Sequence, residues 1–269
     1  MSNHSDPLTA EGILAALDSQ ASKITLQIFD HIDSTNLHAR HIAAKGAAEW
    51  AIIVAGSQSA GRGRLGRSFY SPEGTGLYMS ILLRPSIAPS SAILITTAAA
   101  VAVCDAISEV CGKEAQIKWV NDIFLAGKKV CGILTEAAFS AQGDALEYAV
   151  CGIGINICPP ENGFPPELSH IAGALCEQPE AGLRNRIAGV TLKHFFRYYH
   201  ALEQREFLQE YRRRSLVIGR DIYILRSDQR IPATVLAIDD ECRLCVCLKD
   251  GSTEIISTGE ISIRLKTSE

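Results

Sequence analysis

The chain has 269 residues, 47% of them hydrophobic, and a formal net charge of −4. That length suits one large domain with a small one attached, and that apolar content excludes a disordered chain. The slightly acidic balance argues against nucleic acid as the main partner, so any basic cluster needs a local explanation. Nine cysteines are scattered, without the density of a disulfide framework. The N-terminus lacks the basic-then-apolar pattern of a secretory signal. A cytoplasmic location with reduced thiols is expected.

Leu8 to Leu17 reads as a short helix and Ile24 to Phe29 alternates like a strand. Asp33-Ser34-Thr35-Asn36 is a helix start, feeding a helix to about Lys45. Trp50 to Ala55 reads as a buried strand and Gly76 to Leu83 as another strand, with a glycine-arginine loop between them. Ser86 to Cys104 carries no charge, but Pro89, its many small residues and Asp105 favour a buried helix, Ala92 to Val110, over a membrane span. Gln116 to Trp119, Ile123 to Leu125, Val130 to Ala137 and Glu147 to Cys158 read as strands, with a turn at Ala126-Gly127-Lys128. Leu183 to Tyr211 is mostly helical and closes on three arginines that complement its dipole. Beyond Gly219 come short strands at Asp221 to Leu225, Ile231 to Ile238, Arg243 to Leu248, Thr253 to Ser257 and Ile261 to Leu265. That spacing suggests a small barrel or sandwich, with a boundary near residue 216.

Two segments carry the chemistry. Gly61-Arg62-Gly63-Arg64-Leu65-Gly66-Arg67 intersperses three arginines with glycines, so the backbone can approach a ligand while guanidiniums surround it. Lys118-Trp119-Val120-Asn121-Asp122, running on to Lys129 and Gly132, places a carboxylate and a lysine across a hairpin. Together they point to a phosphorylated, negatively charged intermediate. Neither the loop nor Gly152-x-Gly154-x-Asn156 has the glycine spacing of a P-loop or a dinucleotide fingerprint. Asp33-Ser34-Thr35 also reads as a plain helix cap. Cys242, Cys245 and Cys247 read as core cysteines rather than metal ligands, and His38 and His41 as helix surface.

Jointly the motifs resemble those of biotin protein ligases. The matching pieces are Ser34-Thr35-Asn36, Gln58 to Arg67, Ser71-Pro72, Lys118 to Asp122, Lys128 to Leu134, Gly152 to Asn156 and Gly259-Glu260-Ile261-Ser262. The resemblance implies an α+β fold: a central mixed sheet with helices, like class II synthetase and biotin–lipoate ligase cores, followed by a small SH3-like β-barrel. Residues 1–216 would form the catalytic domain and residues 217–269 the barrel. Only about thirty residues precede Asp33, which suggests the form without an N-terminal DNA-binding domain.

The implied reaction activates biotin with MgATP as biotinyl-5′-adenylate and passes it to a lysine of a biotin carboxyl carrier domain of a carboxylase. No metal ligand is assigned; Mg2+ is expected with ATP. By the same resemblance Lys129, Arg64 and Asp122 are catalytic. Ser34, Thr35, Gln58, Gly61, Arg62, Arg64, Lys129 and Gly132 contact biotin. Arg64, Arg67, Phe69, Lys118, Asn121, Lys129 and Asn156 contact ATP. The enzyme would be a monomer or a homodimer, with neither a nucleic acid nor a membrane as partner. Relatives often carry proline where Val120 stands, tryptophan where Phe69 stands and glycine where Thr258 stands. A lipoate-type ligase on the same fold, or a binding module that uses the arginine loop on RNA, are the other readings open at this point.

Overall fold

The computed structural model describes residues 6–140, 142–143, 145–226, 229–257 and 259–263. Seven strands form the main sheet: β1 (Thr25–Phe29), β2 (Ala51–Ala55), β3 (Gly76–Leu83), β4 (Gln116–Lys118), β5 (Asp122–Leu125), β6 (Lys128–Phe139) and β7 (Leu146–Asn156). Their order is β1-β2-β3-β7-β6-β5-β4. Only β1 and β2 run parallel, which requires a crossover, and α2 (Thr35–Ala44) supplies it. The other pairs are antiparallel, so the sheet is mixed, as expected.

Strand alternation sorts side chains onto two faces. Leu77, Met79 and Ile81 of β3, with Cys151, Ile153 and Ile155 of β7, point into the large core. That core is covered by α3 (Ile93–Cys111), the long apolar segment, and by α5 (Leu183–His200). Thirteen residues of α3 are buried within the protein, which accounts for its apolar composition without a membrane. The opposite face takes Leu82 and Val150, under Ala39 and Ala43 of α2. Because α2 covers only one end of this face, the rest forms the floor of a pocket lined by Tyr78, Gly132, Gly152 and Gly154.

The first helix is shorter than its periodicity suggests: α1 (Ala10–Leu14), capped by the Thr9 hydroxyl, gives way to a 3-10 segment at Asp18–Lys23. A short α4 (Pro166–Ser169) follows a proline-rich stretch that runs from Pro159 to Pro166. The long C-terminal helix is divided into α5 and α6 (Phe207–Arg213), with Arg205 left-handed between them.

The second sheet comprises β8 (Asp221–Arg226), β9 (Gln229–Ile238), β10 (Leu244–Leu248), β11 (Thr253–Ile256) and β12 (Glu260–Ile263). Its order is β11-β10-β9-β8-β12, antiparallel throughout. Expected as a barrel, it stays open among the described residues, since no pairing joins β11 to β12. Its apolar face is buried instead against the first unit: Ile222, Val235, Leu244, Val246 and Ile261 belong to the same core as α3 and Trp119. Cys242 is core, as expected. Cys245 and Cys247 are not; both are half-buried on the outer face, because strand alternation gives the inner face to Leu244 and Val246. Leu265 of the last expected strand, and Thr258, lie outside the described residues.

Candidate active site

The two units meet at Trp119. Its indole N–H donates to the Cys242 carbonyl at 2.8 Å, and the Tyr211 hydroxyl donates to the Val120 carbonyl at 3.0 Å. The peptide between Trp119 and Val120 is cis. Just beyond, Asn121 and Asp122 enter β5. A tight turn with Ala126 and Gly127 at positive φ then brings Lys129 back across the hairpin. Lys129 Nζ lies 2.6 Å from Asp122 Oδ1. The Asn121 amide donates to the same oxygen at 3.1 Å and to the Ile133 carbonyl at 3.0 Å.

The glycine-arginine loop faces this pair from the other side. It is a small closed hairpin: Gly63 N–H donates to Arg67 O at 2.7 Å and Phe69 N–H to Gly61 O at 2.9 Å. Leu65 and Gly66 turn it at φ values of 56° and 75°. Arg64 reaches out, donating to Asn121 Oδ1 at 2.8 Å and to the Gly259 carbonyl at 3.1 Å. Arg64, Asn121, Asp122 and Lys129 thus form one line of alternating donors and acceptors. The loop's Phe69 lies on the open sheet face. A Cβ at Gly154 would fall 2.6 Å from its ring and one at Gly132 would fall 3.1 Å away, so the paired glycines make a floor for this ring.

The third wall is the start of α2. Asp33-Ser34-Thr35 does begin the helix, but the Ser34 side chain does not cap it. The Gln58 side-chain oxygen does so instead, accepting from Thr35 N–H at 2.9 Å and lying 3.2 Å from Thr35 Oγ1. Ser34 Oγ is buried with no hydrogen-bond partner. Ser80 Oγ lies 2.8 Å from Thr35 Oγ1 and 2.6 Å from Asn36 Oδ1. Burial pushes the Tyr78 phenol far above its ordinary range, keeping it a donor to the Pro72 carbonyl at 3.1 Å.

These walls enclose one pocket. Five cationic residues line it (Arg62, Arg64, Arg67, Lys118, Lys129) against a single carboxylate, Asp122, among the described residues. In a protein of net charge −4, that concentration focuses a positive field on the cavity. Of the residues singled out from the sequence, Ser34, Thr35, Gln58, Phe69, Asn121 and Gly132 also line it. Gly61 and Asn156 do not. Gly61 is buried behind the wall, where a Cβ would meet Phe69 O at 2.4 Å. Asn156 donates to the Gly173 carbonyl at 2.9 Å and ties down the chain after α4. Sequence reasoning missed Ser80 and Glu136, although each is a polar residue in an apolar strand, and left Asn36 without a role. No group of three metal-ligating side chains occurs among the described residues.

Residues 28–156 match the model of the biotin/lipoate A/B protein ligase family, and residues 217–264 that of the biotin protein ligase C terminal domain. The bifunctional ligase/repressor BirA of Bacillus subtilis is 37% identical over 234 residues, covering 85% of this chain and 71% of that protein. This chain belongs to the biotin protein ligase family. The biotin--[acetyl-CoA-carboxylase] ligase of Mycobacterium tuberculosis is 29% identical to it, covering 88% of each. Among solved structures, the biotin protein ligase from Aquifex aeolicus in complex with biotin and ATP aligns with a TM-score of 0.72 at 25% identity, covering 89% of this chain and 98% of that one. The central mixed sheet and C-terminal sheet described above are therefore the biotin protein ligase fold.

Proposed function

We propose that this member of the family is an ATP-dependent biotin protein ligase, which activates biotin as biotinyl-5′-adenylate and transfers it to a lysine of a biotin carboxyl carrier domain. The observation that carries this reading is the charge of the pocket: five cations and one carboxylate converge beside a glycine-floored slot. A carboxylate and a polyphosphate repel one another, and preplaced cations offset that repulsion.

In the first step a biotin carboxylate oxygen attacks the α-phosphorus, the bond to the bridging oxygen breaks, and pyrophosphate leaves. Lys129 stands where it can bridge carboxylate and α-phosphate, with Arg64 and Arg62 supplying bidentate donors. Lys118 and Arg67 take the remaining phosphate oxygens, Asn121 holds Arg64 beside them, and Phe69 covers the adenine. Ser34 Oγ, buried and without a partner, supports a polar ligand in the slot, and the ureido group of biotin has both donors and acceptors to offer. Thr35 and Gln58 build the wall behind it, and Gly132 lies beneath. Magnesium would arrive on the nucleotide, because one carboxylate is too little for a resident cage.

In the second step the carrier lysine attacks the acyl carbon, the carbon–oxygen bond to AMP breaks, and the amine sheds a proton. Asp122 suits that proton: the Lys129 and Asn121 contacts both fall on Oδ1, neither on Oδ2. We assign catalysis to residues 1–216, with residues 217–269 holding Arg64 through Gly259, in a cytoplasmic monomer or homodimer. The test is pyrophosphate exchange with MgATP, comparing biotin with lipoate. Exchange with biotin alone establishes the activation step, and exchange with lipoate alone moves the protein to the lipoate branch.

A further inference from the structure

Glu136 stands on β6 on the same face as Gly132 and Leu134, beyond the pocket's lining. An acid on an apolar strand needs partners. Its side chain is 18% exposed and holds three donors from three places. Oε1 accepts from Arg62 Nη2 at 3.1 Å and from Arg40 Nη1 at 3.2 Å. Oε2 accepts from Asn36 Nδ2 at 2.9 Å. Asn36 has no room to adjust, since a Cβ at Gly152 would fall 2.0 Å from its Oδ1. That Oδ1 contacts Ser80, which contacts Thr35, which Gln58 holds. One carboxylate therefore ties the first arginine of the loop to the polar wall of the slot.

We propose that Glu136 is a positioning residue: it holds Arg62 at the rim of the pocket and couples it to the slot wall, so that arginine loop and slot are set as one unit before substrate arrives. What the loop closes over rests on the ligase reading; the coupling itself is a property of the ligand-free protein. Preorganisation of this kind lowers the ordering entropy that ligand binding must otherwise overcome.

Glu136→Gln tests it, because glutamine keeps an oxygen for Asn36 and removes the charge two guanidiniums share. Amide hydrogen exchange of the ligand-free segment 59–71 should quicken roughly fivefold, the scale of a half-exposed ion pair. Exchange in α2 should stay within about twofold, and the Kd for biotin should rise by no more than roughly the same fivefold. Release of biotinyl-adenylate should also quicken roughly fivefold. In an Arg62→Ala background the same substitution should add nothing, and Glu136→Asp should restore part of the protection. Unchanged exchange over 59–71 overturns the proposal. So does an equal effect with and without Arg62, or an adenylate held more tightly than in wild type. Absence of biotin-dependent pyrophosphate exchange in wild type would instead overturn the ligase reading, while the ligand-free exchange arm still decides the coupling.

Discussion

Gly152 and Gly154 alternate on one strand, point to the same face and look equivalent in sequence. Alanine should separate them sharply. A Cβ at Gly152 would lie 2.0 Å from Asn36 Oδ1 and 2.8 Å from its Cγ. Gly152 pairs with Ser80 on one side and Leu134 on the other, so its backbone cannot retreat. Asn36 must move, and it is 4% exposed. Its contacts with Ser80 and Glu136, at 2.6 and 2.9 Å, are then lost in a buried setting. Overpacking and unsatisfied buried groups each cost about 1–3 kcal/mol, giving roughly 3–5 kcal/mol for Gly152→Ala. That corresponds to a fall in Tm on the order of 10 °C, with weakened biotin binding because Thr35 shares the network. At Gly154 a Cβ would fall 2.6 Å from the Phe69 ring. Phe69 belongs to a surface loop and can swing away, so Gly154→Ala should cost less than about 1.5 kcal/mol of stability. Its effect should fall on ATP affinity instead. Thermal unfolding with titration calorimetry for each ligand measures both. A Gly152→Ala protein with wild-type Tm and biotin affinity would refute the reasoning, as would equal destabilisation by the two changes.

Lys129→Ala should lower biotin-dependent pyrophosphate exchange about 100-fold or more, as expected for removing a charged donor to the transition state. Normal exchange would rule that assignment out. Arg64→Gly loses the contacts to Asn121 and Gly259 and should let the adenylate escape, raising released adenylate per turnover about tenfold while exchange survives. Quantifying free adenylate beside acceptor labelling reads this, and wild-type retention would defeat it. Trp119→Phe removes the 2.8 Å bond to the Cys242 carbonyl and should destabilise by about 2–3 kcal/mol, measured by urea unfolding. Burial pushes the Cys104 and Cys151 thiols up to about 12, and Cys131 higher than its ordinary value too. Native protein should therefore react with a thiol reagent first at the half-buried Cys245 and Cys247. Because unfolded thiols ionise near 9.0 and these folded ones near 12, the unfolded state loses protons first, and stability should decline as pH rises above about 9. Equal stability at pH 10 and pH 8 would count against this.

The sequence is readable wherever the cause is local. The apolar run of α3, the strands β3 and β7 and the turn at Ala126-Gly127 each appear in the structure. The departures have tertiary causes. The helix expected over 183–211 divides at Arg205, whose side chain donates to the Asp240 carbonyl in the second unit. The second sheet stays open among the described residues because its apolar face is covered by the first unit. Cys245 and Cys247 face outward because Leu244 and Val246 take the inner side.

For the site the division is the same. The residue types and their order were plain in the chain: arginines among glycines, then Asp122 and Lys129 across a hairpin. A single chain of residues is enough to place those groups, because turn geometry and strand period act over a few positions. Which partner each polar atom finds is another matter. Arg64 meets Asn121 57 residues away, Arg62 meets Glu136 74 away, and Asn36 meets Glu136 100 away. Those pairings, and the burial that leaves the Ser34 hydroxyl without a partner, exist only once α2, β6 and the arginine loop are packed on one face of the sheet. Local sterics and periodicity gave this protein its elements; the tertiary structure chose which charges and hydroxyls face one another, because hydrogen bonds and ion pairs act only across a few ångströms of folded space.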